Sequence, residues 1–416
     1  VRTSVFWRWW SAGAISSVGS AVGGVALPLT ALTLLHASAF EMGLVAAAGY
    51  LAWIVIGLPA GVIVQRLPLR GLQVGADLAR AIAIASVPPT WWWGHLTVAH
   101  LVGVALVISF ANVVFDVANS TFLPSLVPAE ELAARNSVSS AMHAGSDLGG
   151  PAVGGVLVQL LGPVATLLVD AASYLASAVL MRSLPRAARP NPGQWPSMRE
   201  MIGEGWNFVV RHPIMGPCMG TATVVNFICG AQAALYPLYL VRTLDAPAWA
   251  VGLLLGAEGI GSLFGAALTV RLTRRFGTAR SLIVIGPFLV AGAALIPLGN
   301  GLAGCLAFAF GNIVFAGAVM VLSITTRTYR QVASPPELLS RVMATVRFVS
   351  WGAIPVGGLV AGGLAQVLGP RSTLLIFAAV SVGAPLATLF SPVRRLRDLL
   401  DWDASMKDAV RSPTLA

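Results

Sequence analysis

Long apolar runs separated by short polar turns run through this chain, and their spacing predicts helices that cross a membrane. A spanning helix needs about 20 residues at 1.5 Å rise to cover some 30 Å of hydrocarbon. Twelve stretches reach that length: Trp9–Leu35, Met42–Gln65, Leu72–Trp92, Leu96–Asn119, Ser137–Leu161, Val164–Met181, Ile214–Leu240, Trp249–Val270, Ser281–Leu298, Ala303–Thr325, Val342–Leu368 and Ser372–Phe390. The predicted fold class is therefore all-α integral membrane, with twelve transmembrane helices.

The pattern repeats. Pro128 to Leu168 aligns without a gap on Pro335 to Leu375, 207 positions later, and between Gly150 and Leu168 11 of 19 pairs are identical. Among them are Gly155/Gly362, Gln159/Gln366, Gly162/Gly369 and Pro163/Pro370. A duplicated half in apolar sequence predicts two pseudo-symmetric six-helix bundles of like orientation, an arrangement common among secondary transporters. The expected domains are an N-terminal bundle at 1–185, a linker at 186–213, a C-terminal bundle at 214–393 and a tail at 394–416. Within the linker, Met201, Trp206, Phe208 and Val209 against Arg199, Glu200, Glu204 and Arg211 suit an amphipathic helix lying on the membrane surface or strutting between the bundles.

Composition agrees: 56% of residues are hydrophobic and 10% charged, with a mean hydropathy of +0.81, values that would leave a soluble domain with large exposed apolar patches. The net charge of +10 matters for where it falls. Of 26 basic residues, only Arg242 and Arg371 lie on one side, and the other 24 occupy alternate connections, the tail, or span positions near them such as Arg80 and Arg347. That distribution predicts cytoplasmic termini and a cytoplasmic central loop, and it disfavours a nucleic-acid partner. Trp9–Leu35 is long enough to remain as the first span rather than act as a cleaved signal. The preference for arginine over lysine suggests a GC-rich bacterial genome, and hence the bacterial cytoplasmic membrane.

Several chemistries lack their sequence signatures. Cys218, Cys229 and Cys305 sit singly in apolar spans, and the histidines are scattered, so neither a disulfide frame nor a metal site is expected. The single lysine, Lys407, belongs to no phosphate-binding loop, so no cofactor and no ATP hydrolysis within this chain are expected. No catalytic constellation stands out, and an enzyme is not expected.

Ionisable residues inside spans are the sharper signal, because a charge at the bilayer centre costs about 2.5–3.5 kcal/mol or more unless it faces a cavity or a partner. Asp147, four residues after His143 in the fifth span, and Glu258 in the eighth stand near mid-depth. Either one can take a proton in one access state and release it in another, or attract a cationic substrate; a hydrogen-bonded structural carboxyl is the plainer alternative. Asp116 and Asp170 lie shallower and suit pairing or gating. In the fifth span, Pro151 removes a backbone hydrogen bond while Gly150, Gly154 and Gly155 permit close helix approach, which suits a hinge or seal as well as simple packing.

At this point the residues resemble the major facilitator superfamily. The string Gly61-Val-Ile-Val-Gln65-Arg66-Leu-Pro-Leu-Arg70 is similar to its cytoplasmic-loop signature, and Gly150-Pro151-Ala-Val-Gly154-Gly155 is similar to the signature of its drug:proton antiporters. Val25-Ala-Leu-Pro28, Ala76-Asp77-Leu-Ala-Arg80, Phe115-Asp116-Val-Ala-Asn119, Leu123-Pro-Ser-Leu-Val-Pro128 and Val169-Asp170-Ala-Ala-Ser173 resemble the bacterial twelve-helix drug and siderophore exporter branch. The chain departs from the loop signature at Gln65, where the family has an acid that latches the loop to the eleventh span. The resemblance thus points to Asp77, Arg80, Asp116 and Arg347 as replacement latch or gating residues. It also implies that the first, fourth, seventh and tenth spans line a cavity, which makes Asn112, Asn226, Asn312, Phe310, Phe315, Phe227 and Tyr236 candidate cavity residues.

The function these readings imply is proton-coupled export of amphipathic or hydrophobic small molecules by alternating access. The expected partners are the substrate, protons and the lipid bilayer, with the chain working as a monomer. A lipid or lysophospholipid flippase of the same fold and a substrate importer are the alternatives.

Overall fold

With no water in hydrocarbon to satisfy backbone N–H and C=O groups, an apolar chain of this kind closes its hydrogen bonds within helices. The computed structural model describes residues 2–57, 67–126, 129–184, 198–335 and 338–402, and its regular elements are all helical. In chain order the helices are α1 (Arg2–Thr33), α2 (Ala39–Val55), α3 (Leu69–Ala85), α4 (Val87–Trp92), α5 (Val98–Leu126), α6 (Ala129–Leu161), α7 (Pro163–Arg182), α8 (Met198–Arg211), α9 (Met215–Arg242), α10 (Ala248–Phe276), α11 (Thr278–Leu295), α12 (Gly301–Ala333), α13 (Leu339–Leu368), α14 (Pro370–Ser381) and α15 (Gly383–Leu389).

Among the described residues, nine helices are long and apolar enough to cross a membrane. The remaining predicted spans fall short for local reasons. The second, α2, is apolar but described for 17 residues. The third is not one helix: α3 ends at Ser86, and α4 restarts on Pro88 and Pro89, which cannot donate to the preceding turn. The fifth, α6, carries His143, Asp147, Gln159 and many glycines. The twelfth, although divided into α14 and α15 at Val382, is among the nine as Pro370–Leu389. Several helices outrun their apolar windows, since hydropathy marks the hydrocarbon and not the helix end; α6 begins at Ala129 and α12 continues to Ala333.

The sequence repeat becomes a repeated turn. Gly162 and Gly369 have φ of +82° and +79°, each followed by a proline at the first helical position of the next span. A glycine tolerates that φ and a proline suits that position, so both identities follow from one corner built twice.

Packing follows the same symmetry. In the first half α1 packs on α6 and α7, α3 on α5 and α7, and α2 on α5; in the second, α9 packs on α13 and α14, α11 on α12 and α14, and α10 on α12. The halves meet chiefly along two seams, α2 with α13 and α6 with α10. Glycines make both seams possible. A methyl on Gly155 would lie 2.5 Å from the Ala248 carbonyl oxygen and 2.8 Å from Gly252 Cα; one on Gly362 would lie 2.8 Å from the Ala39 carbonyl oxygen and 3.0 Å from Gly43 Cα. Gly155 and Gly362 are equivalent in the repeat, so the same glycine serves each seam. Both contacts lie toward the end of the bundle opposite the termini.

The linker helix α8 belongs to the second half: Gly205 sits against the Arg341 carbonyl and Thr345 Oγ1 of α13, and Glu204 pairs with Arg341. The tail begins by docking. Thr278 N donates to Asp398 Oδ1 (2.8 Å), Ala279 N to the Arg397 carbonyl (3.0 Å), and Leu399 is buried, so 394–402 is tied to the start of α11. The linker stretch 185–197, the tail beyond 402 with Lys407, and the loop-signature residues Gly61, Gln65 and Arg66 lie outside the described residues.

Candidate functional site

A cavity of about 460 Å³ lies in the part of the bundle nearer the N-terminus, between the earlier turns of α1 and α6 and the later turns of α5. Its wall is amphipathic. From α1 come Trp9, Trp10 and the hydroxyls of Ser16, Ser17 and Ser20; from α2 comes Tyr50; from α5, Asn112, Phe115 and Asp116; and from α6, Met142, His143 and Asp147. Ser17 Oγ and His143 Nδ1 lie 3.1 Å apart, joining the first span to the fifth. The serines recur at positions that share a helix face, a polar stripe legible in the sequence but not singled out there.

At the α6–α10 seam stand Asp147, itself on the cavity wall, and Glu258, the two carboxylates that the sequence places near mid-depth. Gly259 packs so closely on Leu148 that an added methyl would lie 2.6 Å from Leu148 Cα. Asp147 and Glu258 are the sequence neighbours of that contact, one from each half. Both side chains are exposed, although Ser146, Gly256 and Gly259 around them are buried. They lie within Coulombic reach of one another, and Glu258 also reaches Tyr50, Tyr236 and Cys229. The Tyr236 hydroxyl is buried without a hydrogen-bond partner among the described residues. This is a carboxylate and phenol cluster drawn from α2, α6, α9 and α10, in which His143 is the basic group nearest Asp147. The sequence indicated the carboxylates but not Tyr50, because only the docking of the two halves brings it to them.

The other seam uses the same glycine frame for different chemistry. Trp53 of α2 meets Trp351 of α13 edge-on at 4.7 Å, and the Arg347 guanidinium lies 5.3 Å from the first ring and 5.0 Å from the second. Such cation–π contacts hold a guanidinium without a carboxylate. Asp116, on the cavity wall, is within Coulombic reach of both Arg347 and Arg80. Of the four sequence-predicted latch or gating residues, Asp77, Arg80 and Asp116 thus belong to the first half and Arg347 to the second.

Arg80 is anchored inside the first half. It pairs with Asp77 one turn earlier, donates from Nη1 to Asn112 Oδ1 (3.0 Å), and lies over the rings of Phe115 (4.4 Å) and Tyr174 (4.5 Å). Ser177 Oγ donates to the second Asp77 oxygen at 2.7 Å. This network ties α3, α5 and α7 together with both charges buried. Removing one partner of a buried pair strands the other, a loss of about 3–5 kcal/mol. We therefore expect Asp77→Ala to lower the melting temperature in detergent well below the parent's, and Asp77→Asn with Arg80→Met to recover most of it. Melting of Asp77→Ala at the parent temperature would contradict that account.

Other candidates stand elsewhere. Of the seven proposed cavity residues, only Asn112 lines the cavity described above. Asn226 donates to the Ala222 carbonyl of its own helix (3.0 Å), and Asn312 is buried with Nδ2 directed at the Leu254 carbonyl of α10 (3.5 Å). Phe227 stacks on Phe377, Tyr236 sets its ring edge-on to Phe308, Phe315 is buried, and Phe310 is exposed. The physical reason is that spans seven and ten are packed by their neighbours on most of their circumference, so lying on a cavity-lining helix does not put a residue on its open face. Arg70 donates to the Leu184 carbonyl (2.7 Å), tying the third span to the end of the sixth. Asp170 is buried against α1, where methyls on Gly19 or Gly23 would collide with its carboxylate. In the antiporter-like string, Gly150 and Gly154 pack on Ala21 and Val22 of α1, while Gly155 faces the other half.

The chain has relatives. The family described as transmembrane secretion effector matches residues 1–415. The MFS-type transporter YfiS of Bacillus subtilis (strain 168) is 27% identical over 388 residues, 90% of each chain. The multidrug efflux pump Tap of Mycolicibacterium fortuitum is 27% identical over 405 residues, covering 92% of this chain and 94% of the relative. Among solved structures, the nucleoside transporter NupG superposes with a TM-score of 0.76 at 14% identity, covering 92% of this chain and 98% of the other, a likeness of fold.

Proposed function

The chain belongs to the transmembrane secretion effector family, within the major facilitator superfamily, and from that premise we propose that it exports amphipathic or hydrophobic small molecules in exchange for protons. The observation that carries this reading is that Asp147 and Glu258, one from each half, stand within Coulombic reach of one another at a glycine-packed seam by an amphipathic cavity. A carboxylate pair astride the seam changes its surroundings whenever the halves rock, which is what coupling proton release to substrate movement requires. Two neutral carboxyls can lie together at the closed seam, whereas two charges there repel, so proton loss favours seam opening.

The cavity wall suits adaptable cargo, with Trp9, Trp10 and Phe115 supplying apolar surface and Ser16, Ser20 and Asn112 supplying hydrogen bonds. The description of a relative as a multidrug efflux pump supports the same direction of travel. With 24 of 26 basic residues on the side of the termini, we place that side in the cytoplasm of a bacterial cell. The cavity then lies toward the cytoplasm, and the Gly155 and Gly362 contacts lie toward the outer face.

The test uses everted vesicles containing the protein, with an inside-acid gradient read by a quenched dye while cationic, neutral and siderophore-like compounds are added. Compound-dependent collapse of the gradient, missing from vesicles without the protein, is expected. Compound accumulation in those vesicles that is indifferent to an uncoupler would reject proton coupling.

A further inference from the structure

Away from the cavity, α12 carries an arginine whose charge has no acid beside it among the described residues. Arg330 is 8% exposed, and its Nε and Nη1 are enclosed without a hydrogen-bond partner among the described residues. Those two nitrogens hold three N–H donors. Its electrostatic neighbours are Cys218 of α9 and two further cations, Arg327 and Arg347. Arg347 has Asp116 and two tryptophan rings for company; Arg327 donates to the Ser323 hydroxyl at 3.3 Å. One turn beyond Arg330, on the same helix face, the Ser334 hydroxyl is also buried and unpartnered.

The C-terminal end of α12 offers a negative dipole that favours a cation there. That accounts for an arginine near the helix end, but not for the enclosure of its donors without acceptors, which is costly in a protein interior. The cost is removed if an anion belongs to the site. The donors around the guanidinium point in different directions, a serine hydroxyl adds another, and two more guanidiniums lie within reach. An acceptor with several oxygens and more than one negative charge answers all of these; a lone carboxylate does not.

We propose that the corner between α9, α12 and α13 binds a phosphate group, held by Arg330 with Ser334 and drawn in by Arg327 and Arg347. Nη2, the guanidinium nitrogen that is not enclosed, is the point of entry, and the flexible stem turns the other donors to the oxyanion once it arrives. The phosphate comes from an anionic lipid headgroup of the adjacent leaflet or from a free phosphate, and either source presents the same oxygens. Basic pockets between helices at the cytoplasmic end of a bundle are suited to headgroups. The site is independent of the carboxylate seam, so its test does not depend on transport.

The full-length protein, purified in an uncharged detergent, is titrated with dioctanoyl phosphatidylglycerol and separately with inorganic phosphate, and binding is read by the rise in melting temperature and by calorimetry. We expect saturable binding that weakens at least tenfold in Arg330→Gln and at least threefold in Arg330→Lys, while Arg274→Gln, an exposed arginine on α10, binds as the parent does. Lipid binding without phosphate binding assigns the site to a headgroup; binding of both assigns it to the oxyanion itself. If Arg330→Gln cannot be purified folded, Arg330→Lys decides in the same titration. Failure of both probes to bind, or equal affinity in the Arg330 variants and the parent, overturns the proposal.

Discussion

Glu258→Gln and Asp147→Asn are each expected to lower gradient-driven transport at least tenfold while leaving the protein folded and in the membrane. The reasoning rests on position. Each residue flanks the Leu148–Gly259 contact, and each side chain is exposed while its helix neighbours are buried, so the amides fit the same space and remove only the titrating oxygen. An amide cannot carry the proton, so under the proposed coupling the two halves lose the step that links seam opening to proton release. The measurement is the vesicle assay with each variant, alongside substrate binding to the purified protein. Coupling lost with binding retained assigns the carboxylates to protons alone; loss of both assigns them a shared site for proton and substrate. Transport at the parent rate and with the parent pH profile in both variants would sink the coupling assignment.

The second large effect is expected at the seam itself, in Gly155→Leu. A methyl at this position would already stand 2.5 Å from the Ala248 carbonyl oxygen and 2.8 Å from Gly252 Cα, both backbone atoms that cannot turn away. Overpacking of this kind costs about 1–3 kcal/mol, and more where backbones must separate. A transporter whose two access states differ by a few kcal/mol is then driven toward the state in which this seam is parted. Spin labels placed by Leu161→Cys on α6 and Trp249→Cys on α10, with Cys218, Cys229 and Cys305 replaced by serine, should report a longer distance in Gly155→Leu than in Gly155. Transport should fall at least tenfold. The repeat-equivalent Gly362→Leu, against Ala39 and Gly43, should part the other seam in the same way. Unchanged distances with a normal transport rate would show that these glycines merely ease packing.

How much of this could be read beforehand differs element by element. The apolar spans were visible because hydrocarbon imposes length and polarity one residue at a time. The repeated Gly-Pro corner was visible for a similar reason, since left-handed φ and a proline at the start of a helix are local demands. The breaks at Ser86 and Val382 were less visible, because the apolar pattern runs straight across them. Asp147 and Glu258 could be singled out by depth alone. Their nearness, and the presence of Tyr50 beside them, depended on α6 meeting α10 and on α2 lying next to α9.

The asparagines show the limit from the other side. Asn112, Asn226 and Asn312 look alike in sequence, yet one faces the cavity, one bonds its own helix and one is directed at a neighbouring helix. The sequence by itself determined that this is an all-helical membrane protein with a duplicated half and carboxylates inside its spans. Those properties follow from the solvent that surrounds each helix and from local backbone geometry. Only the tertiary structure decided that equivalent glycines close two seams, that one seam holds carboxylates and the other an arginine between tryptophans, and that Arg330 is enclosed without an acid among the described residues. Those properties depend on which faces of distant helices meet, and no periodicity within a single span specifies its partner.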